Sequence, residues 1–203
     1  MKTLTRLDYA PHPCPTGKAR KYTAEERQRW RTPNTPEQPV LWLVAQSLGG
    51  EIGLDPTADD ARSVPAYRHL TAADDCLGIG WTLPGDAPRT AFMNPPFDAP
   101  HLYLNALANN IITGHITEAV ALLKIGTLSN QKSGTIIRQF ASSACLWGAG
   151  KPKANGRMGF VDCDGLVIKG SDFDSILVHF GRAPRLFGHT MADYGTIIQF
   201  ESR

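Results

Sequence analysis

Short apolar blocks, separated by polar stretches bearing proline or glycine, run along the chain from about residue 36 onward. Val40, Leu41, Val44 and Leu48 recur at helical spacing and Gly49-Gly50 closes the run, which predicts a helix within 36–48. Ile52 to Leu54 reads as a short strand leading into Asp55-Pro56, and Thr90 to Met93 as a second strand running into Asn94-Pro95-Pro96-Phe97. Pro100 to Ile112 predicts a helix with Leu104, Leu107, Ala108 and Ile111 on one face. Glu118 to Ile125 is nearly all apolar, as a strand covered on both faces must be. Asn130 to Ser142 predicts a further helix, with Ile136, Ile137 and Phe140 inward, and Cys145 to Trp147 a short strand. Met158 to Asp162, Ser175 to Phe180 and Thr196 to Phe200 read as strands separated by turns, the first two as a hairpin. Residues 58–88, rich in Ala, Asp, Gly and Pro, predict loop with short helical turns. The expected architecture is α/β, with a mainly parallel sheet and an antiparallel strand pair at its C-terminal edge.

Residues 1–22 have no period and read as a flexible N-terminal arm, which leaves 23–203 as a single domain. Thr23 and Glu26 stand at capping-box spacing, and Pro33, Pro36 and Pro39 stop any long helix there. Nothing in the N-terminal stretch has a signal peptide's apolar core, and no run reaches the length of a membrane span. The expectation is a soluble, cytoplasmic protein without a membrane partner. The cysteines, at 14, 76, 145 and 163, form no CxxC pair. They predict reduced thiols rather than a disulfide framework or a zinc site. The net charge of +2 decides nothing about partners; only its placement does.

Candidate chemistry concentrates at Asn94-Pro95-Pro96-Phe97. Neither proline can donate to a strand ladder, so the chain must leave the sheet at the strand's carboxyl end. Ligands bind at that edge in open α/β sheets. The Asn94 side-chain oxygen and the Pro95 carbonyl are two acceptors, able to hold both N–H groups of an exocyclic amine and aim its lone pair at an electrophilic methyl group. Phe97 offers a face for the ring that carries the amine. This chemistry needs no metal and no covalent enzyme intermediate. Singly, each feature has a plain alternative: Pro-Pro also ends strands, Asp55-Pro56 also opens turns, and loop acids are often only solvated. His101 reads as a surface residue at a helix start, and no histidine is assigned a catalytic role.

Asn-Pro-Pro-Phe resembles the catalytic motif of amino-methyltransferases, and the chain more widely resembles the phage-type (Dam-like) DNA N-6-adenine methyltransferase family. The similar elements, in order, are Trp30-x-Thr32-Pro33, Leu54-Asp55-Pro56-x-Ala58-Asp59, Asp74-Asp75-x-Leu77, Phe92-x-Asn94-Pro95-Pro96-Phe97, Gly156-Arg157-x-x-Phe160 and Ser175-Ile176-Leu177-Val178. They run from about Trp30 to Phe180. The resemblance implies a Rossmann-like sheet with helices on both faces that binds S-adenosylmethionine and releases S-adenosylhomocysteine. It implies that Asp55 and Pro56 meet the methionine end of the cofactor, Asp59 the ribose, and Asp75 with Leu77 the adenine. Thr32 and Pro33 would close over the methionine moiety. The sequence departs from the pattern twice. The glycine loop after Asp-Pro is replaced by Thr57-Ala58-Asp59-Asp60-Ala61, and Thr-Pro occurs at both 32–33 and 35–36.

The implied substrate is duplex DNA, whose target base must be flipped out of the stack. Candidate phosphate contacts are Arg27, Arg29 and Arg31, with Lys151, Lys153 and Arg157 in the glycine-rich loop 148–157. N4 of cytosine carries the same kind of amine, so the motif alone leaves that target open. A non-catalytic nucleic-acid-binding module on the same fold also stays open, as does a homodimer. The resemblance further points to a phage or prophage origin and to restriction-modification as a setting.

Overall fold

The computed structural model describes residues 33, 35, 38–148, 151, 153, 157–161, 167–168 and 173–201. The N-terminal arm, the capping-box spacing at Thr23 and Glu26, and the Trp30-x-Thr32 element lie outside them.

Helix α1 (Val40–Ser47) begins directly after Pro39, later than the predicted Pro36. Thr35 and Gln38 exchange backbone hydrogen bonds, and the Gln38 N–H also donates to Thr35 Oγ1 at 3.1 Å. Gly49 (φ 92°) and Gly50 (φ 116°) then swing the chain into β1 (Ile52–Asp55). The remaining elements are β2 (Ala66–His69), β3 (Thr90–Met93), α2 (Pro100–Ile112), β4 (Glu118–Lys124), α3 (Gln131–Phe140), β5 (Ser143–Trp147), β6 (Phe160–Val161), β7 (Val167–Ile168), β8 (Ser175–Phe180), α4 (Pro184–Met191) and β9 (Gly195–Gln199).

Seven strands form one mixed sheet in the order β2-β1-β3-β4-β8-β5-β9. The β2/β1, β1/β3 and β3/β4 pairs are parallel, β8 runs antiparallel to both β4 and β5, and β9 is antiparallel to β5 at the edge. Flanked by helices, this α/β sheet is compatible with a Rossmann-like fold.

Alternation along the strands divides the core into two layers. Phe92, Val120, Leu122, Cys145 and Leu177 face α1 and α4. Ala91, Met93, Ala119, Ala121, Leu123, Ala144, Ile176, Val178 and Phe180 face α2 and α3. Helices therefore cover both faces, and β4 is buried on each side as its apolar run requires. Each fully buried Leu or Val contributes about 1.5–3 kcal/mol relative to exposure.

Three expectations are corrected. Ser175 to Phe180 does not pair with Met158 to Asp162; β6 pairs with β7, and β8 is buried throughout as an interior strand. The stretch 58–88 contains β2, an edge strand whose Ala-Tyr-Arg-His sequence is only half-buried and so lacks an apolar pattern. Helix α4 lies between β8 and β9, where turns were expected.

At the end of the sheet where β4 begins, His179 is fully buried, with Nδ1 2.6 Å from Ser142 Oγ and Nε2 2.9 Å from Glu118 Oε2. Glu118 also accepts from the N–H groups of Arg182 (2.7 Å) and Ala183 (3.4 Å), which fastens the start of α4 to β4. A Cβ on Gly181 (φ 142°) would lie 2.1 Å from Glu118 Oε2, so only glycine permits this approach. Burial alone would raise the Glu118 pKa, but His179 and the two N–H groups hold it below its ordinary value. The stability this gives is present above the ordinary carboxylate range and is lost as the pH falls through the lowered pKa. Glu118→Ala strands these donors and is expected to cost about 2 kcal/mol in urea unfolding near neutral pH. An unchanged midpoint would remove this role.

Cys76 and Cys145 are free, buried thiols, pushed up to about 11 and about 12 chiefly by desolvation. Cys14 and Cys163 lie outside the described residues. No helix among the described residues is long and apolar enough to cross a membrane.

Candidate functional site

β1 has β2 on one side and β3 on the other, so the strand order reverses between β1 and β3. The carboxyl ends of two such strands open onto a crevice. Asp55 is the last residue of β1, and Asn94 immediately follows β3.

The two ends are joined. Asp55 Oδ1 accepts from Thr57 N–H (3.0 Å) and from the Thr57 hydroxyl (3.3 Å), while Thr57 Oγ1 accepts from Asn94 N–H at 3.0 Å. Asp55-Pro56-Thr57 is thus an Asx-type turn. The Ala58 N–H and the Leu70 carbonyl, then the Leu70 N–H and the Asp55 carbonyl, tie this turn to the end of β2.

Asp55 is 3% exposed, and its pKa is raised from 3.8 to about 7. Desolvation is the main cause, the Thr57 N–H works against it, and the Asp59 charge adds to it. Among the described residues, no cation offsets the burial. Such a group is either neutral or waiting for a positive partner.

Beyond β3, Asn94 is half-buried, Pro95 buried, Pro96 exposed and Phe97 half-buried. The Phe97 ring meets Phe173 edge to face, with centroids 4.8 Å apart, and Phe173 lies 6.2 Å from Phe160. Lys124, the last residue of β4, holds its ammonium 4.8 Å from the Phe97 centroid and 5.0 Å from that of Phe173. The Ile125 N–H donates to the Asp174 carbonyl at 3.0 Å, which fixes the Phe173 segment against this strand end.

The other expected cofactor residues differ in how they stand. The Asp59 carboxylate accepts from Ser63 N–H (3.3 and 3.4 Å) and Ser63 Oγ (3.2 Å), so it is turned into its own loop. Asp74 accepts from Thr71 N–H and Oγ1 in a capping box around the 3₁₀ turn Ala72–Asp74. Asp75 follows in a left-handed conformation (φ 47°) and is exposed, as is Leu77. After burial, the charges of Asp75 and Asp55 both raise the Cys76 thiol, so both carboxylates lie within electrostatic reach of it. Asp75 also acts on Tyr103 of α2.

Pro33 is buried, and the Thr35 hydroxyl is engaged by the Gln38 N–H. The Gln38 amide bridges to the glycine-rich loop's far end: Oε1 accepts from Gly159 N–H at 2.7 Å, and Nε2 donates to the Arg157 carbonyl at 3.4 Å. Thr32, Arg27, Arg29 and Arg31 lie outside the described residues. Of the expected phosphate contacts in the loop, Lys153 pairs with Asp193 (2.5 Å) and Arg157 with Asp174 (3.1 Å); Lys151 is half-buried. His101, the second residue of α2, is half-buried.

Thr57, Lys124, Phe173 and Gln38 belong to this neighbourhood and were not foreseen. Asp-x-Thr is a legible Asx-turn signal, and Lys124 is the one charged end of an apolar run at the functional edge. Phe173 and Gln38 carry no local signal. Among the described residues, no group of three or more His, Cys, Asp or Glu is arranged to hold a metal ion. No protein-family model matches the chain, and no curated protein matches it.

Proposed function

We propose that the chain is a methyltransferase that moves a methyl group from S-adenosylmethionine to the exocyclic N6 of adenine in DNA. One observation carries this. Asn94-Pro95-Pro96-Phe97 leaves the sheet at the strand-order reversal and is tied through Thr57 to the buried carboxyl of Asp55. The order of the resembling elements along the chain supports it further.

The residues present fit the cofactor. Asp55 is a buried acceptor with no counter-charge among the described residues, and a bound ammonium would provide one. Asp75 and Leu77 stand exposed on the loop beyond β2, suited to the adenine end, and the buried Pro33 suits the methionine end. Asp59 would have to turn from Ser63 to reach the ribose. When bound, the cofactor supplies an electrophilic methyl group. The protein's part is to hold the amine: Asn94 Oδ1 and the Pro95 carbonyl accept its two N–H groups and direct the lone pair outward. Phe97 stacks on the flipped base, offsetting part of the few kcal/mol that unstacking costs.

The test is to incubate the full chain with labelled S-adenosylmethionine and duplex DNA of mixed sequence, then digest to nucleosides. Labelled N6-methyladenine is expected. Labelled N4-methylcytosine would move the target to cytosine. No labelled nucleoside from duplex or single-stranded DNA, together with no cofactor binding by calorimetry, would overturn the proposal in favour of a non-catalytic nucleic-acid-binding module.

A further inference from the structure

Lys124 sits beside Phe97, next to the proposed catalytic motif. It ends β4, the strand beside β3, and two residues before it Leu122 faces α1 and α4. Alternation puts Lys124 on that same side of the sheet, the side on which Phe160 packs and Phe173 leans. Its ammonium lies over two rings at once, Phe97 at 4.8 Å and Phe173 at 5.0 Å. It has no carboxylate within ion-pair distance among the described residues, whereas Lys153 and Arg157 are each paired with an aspartate. Two of the cations expected to meet phosphate, Lys153 and Arg157, are thus engaged with aspartates, and an unforeseen one stands beside the proposed catalytic motif.

A cation held by ring faces at an exposed position is held weakly, by about 0.5–1 kcal/mol. A phosphate oxygen is a stronger partner because it offers full charge and a short hydrogen bond. The Phe97 face covered by the ammonium is also a face that a substrate ring would need for stacking. The two events therefore belong together: a ring that stacks on Phe97 displaces the ammonium, and the ammonium turns to the phosphate that the ring brings with it.

We propose that Lys124 is the phosphate contact for the nucleotide entering the Phe97 slot, resting on Phe97 and Phe173 until that nucleotide arrives. This rests on the methyltransferase reading for the identity of the substrate, DNA. Lys124 is exposed at a strand end, so its replacement leaves the core intact.

The experiment compares the full-length wild type, Lys124→Gln and Lys124→Arg. Binding of a fluorescent DNA duplex is followed by anisotropy across a KCl titration, and methyl transfer is measured with the same duplex. Lys124→Gln is expected to weaken DNA binding about tenfold and raise KM similarly, with kcat little changed. It should also reduce the slope of log K against log salt by about 0.9, the value of one phosphate contact. Lys124→Arg should restore the slope, which a purely packing role would not require. An unchanged slope in Lys124→Gln overturns the assignment, as does a wild type that binds no DNA. A wild type that binds DNA but transfers no methyl group counts against the methyltransferase reading alone, and the salt slopes then still decide Lys124.

Discussion

Asn94→Ala is expected to lower methyl transfer by about a hundredfold or more while leaving the affinity for S-adenosylmethionine nearly unchanged. The substitution removes the side-chain acceptor and keeps the backbone N–H that bonds to Thr57 Oγ1, so the turn linking β1 to β3 survives. Without that acceptor the amine is held by the Pro95 carbonyl alone, and its lone pair is no longer directed. The loss should fall in kcat more than in the DNA dissociation constant, because Phe97 still offers its ring. Asn94→Asp retains an acceptor oxygen at the same position and should keep far more activity than the alanine variant. Single-turnover rates with saturating cofactor make the comparison. A fully active Asn94→Ala protein would show that the amine is held elsewhere.

Asp55→Asn is expected to act in opposite directions on stability and on cofactor binding. Asp55 has a folded pKa of about 7 against an ordinary value of 3.8. Below about pH 4 the carboxyl is protonated in the folded and unfolded chain alike. As the pH rises from there toward 7 the unfolded chain gives up this proton first, so stability falls with pH and levels off once the folded carboxyl has ionised. At about 1.4 kcal/mol per pH unit, the full decline is on the order of 4 kcal/mol. Asp55→Asn has no such proton to lose, so its stability curve should lack that decline, and the variant should gain on wild type between about pH 4 and 7. The same variant cannot offer a carboxylate to the cofactor's ammonium. Wild-type binding should strengthen as the pH rises through about 7, and the Asn variant should bind weakly throughout. Urea unfolding in cofactor-free buffers and calorimetry over the same pH range read the two effects. Parallel stability curves for the two proteins would refute the buried, unpaired state of Asp55. A residue that costs stability in the free protein and serves a ligand is the pattern expected of a functional site.

How far the sequence reached depended on the kind of signal. Continuous apolar runs were legible: TAFM and EAVALLK are central strands, and Pro100–Ile112 is a helix with its bounds as expected. A partly exposed edge strand such as Ala66–His69 leaves no such pattern. Ser175–Phe180 is itself legible as a strand, but its partners are not. Pairing with β4 and β5 arises from contacts thirty or more residues away, and nothing local sets them against a nearby hairpin.

The candidate site divides in the same way. The sequence by itself determined which residues must leave the sheet, because two consecutive prolines end any ladder, and it singled out Asp55 and Asn94 through the order of their motifs. Tertiary structure alone decided that these two residues are neighbours, because a strand-order reversal brings β1 beside β3 and Thr57 spans the gap. It also decided that Asp55 is nearly dry, and so holds its proton up to about pH 7, since desolvation depends on the layers packed around a group and not on its place in the chain. The charges follow the same rule: among the described residues Lys153 and Arg157 are paired with aspartates and Lys124 is not, a difference set by which loops the fold brings into reach.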